Sequence, residues 1–156
     1  MTWRFQIRAS ATIDAGVETI WQRVSDYERT PSWVLGGPTW VRIIRPGEST
    51  KAGQGALRQV KFPLWPAVTE EITHFEPPLR FDYVLRAGMP HVAEHLGSLR
   101  IEPLEDGRAT LHWDIDFGFR AWHPLSWLAP IFVRSFGKIV QRGCDELARQ
   151  LATAAA

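Results

Sequence analysis

The sequence predicts an α+β fold in which a curved antiparallel sheet wraps on a terminal helix, with room for a ligand between them. Three observations lead there. One alternating strand is followed at once by a short amphipathic helix. A run of strand-like segments comes next, separated by Pro and Gly turns. The chain then closes on a long helix with a single apolar face.

Phe5, Ile7, Ala9, Ala11 and Ile13 alternate with Arg4, Gln6, Arg8, Ser10 and Thr12, the pattern of a half-buried strand. Asp14 is placed to cap the helix that follows, in which Val17, Ile20, Trp21 and Val24 share one face. Asp26 is placed to cap a second short helix, which Pro31 ends or bends before Trp33. Gly36-Gly37-Pro38 turns the chain into a strand over 39–45. After a polar connection, strands are expected over 56–62, 68–75 and 80–86. Pro63 and Pro66 separate the first two, and Glu76-Pro77-Pro78 the last two. Gly88-Met89-Pro90 leads into a hairpin of 91–102 and 110–119 around Glu105-Asp106-Gly107. In the last helix Phe132, Phe136, Ile139, Val140, Gly143, Leu147 and Leu151 recur every three or four residues, opposite Arg134, Lys138, Arg142 and Arg149. Such a helix needs a surface to cover, and the concave side of the sheet supplies it. Residues 152–156 read as a loose tail.

Composition narrows the function classes. The 156 residues fit a single domain, 1–156, large enough for a sizeable core. A net charge of +1 argues against nucleic acid, whose phosphates need a concentrated basic surface. The lone Cys144 forms neither an internal disulfide nor a thiolate metal cluster, which fits a reducing cytoplasm as the expected location. The opening residues carry no apolar signal core, and the apolar stretch from Leu125 to Val133 is too short to span a bilayer. There is no phosphate-binding Gly loop and no Gly-x-Ser-x-Gly elbow, so neither a nucleotide cofactor nor a hydrolase serine is expected; no cofactor is called for at all. Eight Trp and eight Phe supply rings enough to fill a core or to line a cavity for an apolar guest.

The order of landmarks resembles the START-like, Bet v 1-like superfamily, and more closely its bacterial SRPBCC branch of polyketide cyclase/dehydrase and lipid-transport proteins. Ile13, Ala15, Trp21 and Asp26 hold the places of the family's opening motif, with Gly16 where Pro is usual and Ile20 before the Trp. Trp33, the Gly53-x-Gly55 turn, the Glu76-Pro77-Pro78-x-Arg80 turn, Gly97, Gly107, Thr110 and Trp113 follow in order. The resemblance covers about Trp3 to Leu151. It implies a helix-grip fold: a seven-stranded antiparallel sheet, two short helices after the first strand, and a long C-terminal helix enclosing an apolar cavity. Carriers, cyclases, hydrolytic and oxygenase domains and chaperone co-regulators share that fold, so function must be read from the site.

Strand alternation nominates the site. Val68 and Ile72 bring Glu70 and His74 to the inner face; Phe81, Tyr83 and Leu85 follow on the next strand; Leu99 and Ile101 carry Ala93, His95 and Gly97 inward; and Leu111, Trp113, Ile115, Phe117 and Phe119 face them. A bulge would reverse any of these assignments. The candidate catalytic groups are His95, whose ordinary pKa of about 6.5 suits proton transfer, with Tyr83 and Glu70 as hydroxyl and acid. An alternative places Glu70 at the rim, paired with Arg58. The candidate ligand contacts are His74, Phe81, Trp113, Phe117, Phe132, Phe136, Ile139 and Val140. His91 and His95 have a metal-like spacing, but on a strand they stand about 13 Å apart, so no metal site is expected. The stretch Trp122 to Leu128 reads either as a cover over one end of the cavity or, with Arg134, Lys138 and Arg142, as a transient contact with an anionic membrane.

Three functions follow from these readings. The first is binding of a hydrophobic small molecule: a lipid, a quinone or a polyketide-like aromatic. The second is a cofactor-independent polyketide cyclase or dehydratase using His95 with Tyr83 or Glu70. The third is an interaction domain with a filled core.

Overall fold

The structure, a computed structural model, describes residues 1–154. Strand β1 (Thr2–Ile13) leads into helix α1 (Val17–Val24) and a 3₁₀ helix (Tyr27–Ser32). Strands β2 (Trp40–Arg45), β3 (Leu57–Lys61), β4 (Val68–Glu76), β5 (Arg80–Ala87), β6 (Val92–Pro103) and β7 (Ala109–Arg120) follow. A second 3₁₀ helix (Pro124–Leu128) then precedes the long helix α2 (Ala129–Ala154). The strands form one seven-stranded antiparallel sheet in the order β1-β7-β6-β5-β4-β3-β2, the helix-grip arrangement.

The α2 helix lies across β1. Gly137 faces Ile7 there, and a Cβ at that position would stand in ordinary van der Waals contact, 3.8 Å from the Ile7 side chain. The Gln141 amide completes the docking, donating to the Ser10 carbonyl at 2.8 Å and accepting from the Ser10 N–H at 3.2 Å. Beneath α2 the interior divides into two regions. At the α1 end, rings fill the space: Trp21 meets Phe75 and Phe81, Tyr27 meets Phe81, and Trp33 meets Trp113 with centroids 5.5 Å apart. The opposite end, under the first turns of α2, is left hollow.

Three local expectations are corrected. Gly16, not Asp14, occupies the N-cap of α1, and no side chain caps it. Asp26 does stand at the N-cap of the 3₁₀ helix but makes no side-chain cap bond. The expected tail is helical through Ala154, and 155–156 lie outside the described residues.

Two bulges decide which side chains face inward. One falls between Ile72 and His74, opposite Tyr83 and Asp82. It turns His74 out, where its Nε2 meets Glu76 Oε2 at 3.1 Å, and turns Phe75 in against Trp21. The other, between Val92 and Glu94, buries Val92 and leaves Ala93 exposed, against the simple alternation.

Candidate functional site

A cavity of about 440 Å³ lies between the inner face of the sheet and the N-terminal half of α2. Its walls come from β4 (Val68, Glu70), β5 (Leu85), β7 (Phe117, Phe119), the second 3₁₀ helix (Leu125, Leu128) and α2 (Ala129, Phe132, Ser135, Phe136, Ile139). The rings pack on one another rather than into the space: Phe132 stacks on Phe136 at 5.5 Å, and Phe117 meets the edge of Phe132 at 5.7 Å. The loop after β3 closes one side with Phe62, Pro63 and Trp65, and Leu125 and Leu128, both partly exposed, mark the mouth.

Polar groups are few. Arg58 and Glu70 form a buried ion pair, with Arg58 Nε donating to Glu70 Oε2 at 2.8 Å and Nη2 meeting the same oxygen at 2.8 Å. The guanidinium is sandwiched between the Tyr83 ring (4.4 Å) and the Tyr27 ring (4.6 Å), an environment that suits a delocalised, weakly hydrated cation. Burial works against the Arg58 charge, but Glu70, with Tyr83 and Tyr27, outweighs it and holds the pKa above its usual value. Tyr83 lies behind the cavity wall, its hydroxyl accepting from Trp113 Nε1 at 2.9 Å; burial keeps the phenol protonated far above its ordinary range.

His95 is held in an unusual way. The β5–β6 ladder ends at Tyr83–Gly97, and beyond it the Leu85 N–H donates to His95 Nδ1 at 3.1 Å. The ring takes the place of a ladder bond. Because Nδ1 accepts that bond, the neutral ring carries its proton on Nε2 and presents a donor to the cavity. In this tautomer Nε2 is a proton donor, the acid side of the proton-transfer role expected of His95.

Comparison with known proteins fits this architecture. A profile described as polyketide cyclase / dehydrase and lipid transport matches residues 4–152. The chain belongs to that family. Among solved structures, a START superfamily protein from Mycobacterium smegmatis superposes with a TM-score of 0.75 at 16% identity, over 96% of this chain and 98% of that one. Norcoclaurine synthase from Thalictrum flavum gives 0.72 at 12% identity, over 97% and 88%. The protein XoxI from Bacillus cereus gives 0.73 at 15%, over 97% and 98%. At these identities the likeness is one of fold. Comparison with curated protein sequences finds no match.

Of the site residues expected from the sequence, Glu70, His95, Phe117, Phe132, Phe136 and Ile139 line the family's cavity in this chain. Phe81, Tyr83, Trp113 and Val140 face inward but belong to the filled part of the core, and His74 is outside. Arg58 does pair with Glu70, buried rather than at a rim. The lining residues that sequence reasoning missed sit mostly in loops: Phe62, Trp65 and Met89, beside Pro63, Pro66 and Pro90. The available signal was a pair of large rings interleaved with prolines, too apolar for a plain surface turn. His91 also lines the cavity, its ring stacked on Phe119 at 5.8 Å.

Burial pushes the His95 imidazole below its ordinary 6.5, with Arg58 acting the same way against Glu70. Burial and the neighbouring His123 do so for His91. The folded state therefore binds these protons less readily than the unfolded chain, so stability is intact above about pH 6.5 and falls below it. The midpoint of thermal unfolding should drop between about pH 7.5 and pH 5.5, and His95→Phe should flatten part of that drop. A midpoint independent of pH in both proteins would show that neither ring is held neutral.

Proposed function

We propose that this chain binds one hydrophobic small molecule, a lipid, quinone or polyketide-like aromatic, in the cavity under α2, and acts as a carrier rather than a catalyst. The observation that carries this reading is a cavity of about 440 Å³ walled by Phe117, Phe119, Phe132, Phe136 and Ile139. That size suits a small-molecule pocket, and affinity would come from apolar burial at about 25 cal/mol per Å². Of the expected trio, Tyr83 is engaged by Trp113, Glu70 is tied to Arg58, and His95 keeps the acid side of its expected role alone. Titration with N-phenyl-1-naphthylamine should saturate at one probe per chain. Ala129→Phe, which adds a ring to the wall, should weaken it at least about tenfold. Absence of saturable binding by this probe and by a panel of labelled lipids would overturn the reading.

A specific observation favours ligand exchange at a membrane. Trp122 and Trp127 are each 73% exposed and Ile131 is 67% exposed, beside the mouth residues Leu125 and Leu128. Leu64, between the lining residues Pro63 and Trp65, is fully exposed. Arg134, Lys138 and Arg142 follow on the solvent side of α2, and no acid occurs in that helix before Asp145. None of the three forms an ion pair among the described residues. Three exposed cations without acidic partners, next to exposed rings, suit an external anionic surface. The chain should sediment with vesicles containing phosphatidylglycerol and not with neutral phosphatidylcholine vesicles. Trp127→Ala with Lys138→Glu should reduce sedimentation severalfold. Equal sedimentation of wild type and variant would reject the patch. No helix among the described residues is long and apolar enough to cross a membrane.

A further inference from the structure

Two polar atoms of the cavity lining stand out, and they are of opposite kind. Both Arg58 contacts fall on Glu70 Oε2, so no hydrogen bond among the described residues reaches Oε1. Nδ1 of His95 is taken by the Leu85 N–H, and no hydrogen bond among the described residues reaches Nε2. Both residues line the cavity. They also belong to one row across the sheet. Glu70 on β4 pairs with Leu85 on β5, and Leu85 is bonded to the His95 ring on β6. Two strand spacings put their Cα atoms about 10 Å apart, and the Glu70 charge acts on the His95 ring.

We infer that the ligand carries a hydroxyl group, alcoholic or phenolic, at the end that meets this row. It donates to Glu70 Oε1 and accepts from His95 Nε2–H. The inference rests on the binding reading above and specifies the ligand class for the same cavity. A hydroxyl meets both demands with one atom, since it is donor and acceptor at once. A ketone or ether satisfies His95 alone and leaves a carboxylate oxygen unpaired in an apolar space, which is costly. An ammonium group satisfies Glu70 but sets a second cation beside Arg58. A carboxylate ligand faces Glu70 Oε1 directly. The Glu70 charge is already balanced by Arg58, so the row as a whole selects a neutral polar group.

The test is displacement of N-phenyl-1-naphthylamine by matched pairs: 2-naphthol against 2-methoxynaphthalene, and dodecan-1-ol against dodecyl methyl ether. The added methyl group favours the ethers by burial alone, so a preference for the alcohols reads the hydrogen bonds. The alcohols should bind at least about tenfold tighter than the ethers. Glu70→Gln, whose amide oxygen can still accept from Arg58, should bring the ratio close to one, because only the alcohol donates to the carboxylate, whereas His95→Phe, which does not touch the ion pair, should weaken alcohols and ethers alike. Equal binding of alcohol and ether by the wild type would overturn the hydroxyl inference and leave the cavity reading standing. A preference for the alcohols that survives in Glu70→Gln, or alcohol and ether binding left unweakened in His95→Phe, would also overturn it. Failure of both the naphthylamine probe and the labelled lipids to bind would instead overturn the underlying reading, and the inference with it.

Discussion

Arg58→Met is expected to lower the unfolding free energy by about 3–5 kcal/mol, because it leaves the Glu70 carboxylate buried without its cation. The loss also includes the packing of the guanidinium between Tyr27 and Tyr83. Arg58→Lys should recover little, since a lysine offers neither the planar face for two rings nor the fork that meets Oε2 twice. The double variant Arg58→Met, Glu70→Leu should be markedly more stable than Arg58→Met alone, since the uncompensated charge is gone. Urea unfolding of the four proteins at one pH checks this. A double variant no better than the single would mean that the pair is stabilised mainly through its packing on the tyrosines.

The second large effect is expected at Gly97. A Cβ there would lie 2.0 Å from Tyr83 Cζ and 2.4 and 2.5 Å from the ring carbons beside it, so the Tyr83 ring rests flat on the bare glycine. Tyr83 and Gly97 are directly opposed across β5 and β6. Gly97→Val must displace the ring, which ends the Trp113 bond and the contact with Arg58. The cost should be at least about 2 kcal/mol, with the β5–β6 ladder as the first part to open. The double variant Tyr83→Ala, Gly97→Val removes the collision and should regain part of the loss relative to Gly97→Val. If Gly97→Val melted like the wild type, the placement of the Tyr83 ring would be wrong.

These two positions also show how far the sequence could be read. The period of Val17, Ile20, Trp21 and Val24, the turn chemistry at Glu76-Pro77-Pro78 and around Gly107, and the apolar face of the last helix were enough for the architecture. Alternation placed Glu70, Tyr83, His95 and Phe117 inward, and their side chains are there. What alternation does not carry is the division of the interior. Phe81, Tyr83 and Trp113 fill one end because Gly97, Trp21, Tyr27 and Trp33 give those rings somewhere to lie, while Phe117 and Phe132 border a space. That outcome depends on long-range packing and has no local period. His74 and Ala93 were misplaced because a bulge inserts one residue and flips the parity beyond it. The pairing of Arg58 with Glu70 is legible in the sequence, and its burial follows from the place of Arg58 between Ala56 and Val60 on the inward side of its strand. The tautomer of His95, which decides between donor and base, depends on one backbone N–H on a neighbouring strand and was beyond any reading of the sequence.

The chain contains two methionines, and they make the central claim open to one direct measurement. Met89 lines the cavity, while Met1 is almost wholly exposed. With carbon-13 at the methionine methyl groups, titration with N-phenyl-1-naphthylamine should shift the Met89 signal saturably and give contacts between its methyl and the probe, with Met1 unmoved. A Met89 signal that stays in place while the probe binds elsewhere on the surface would contradict the account.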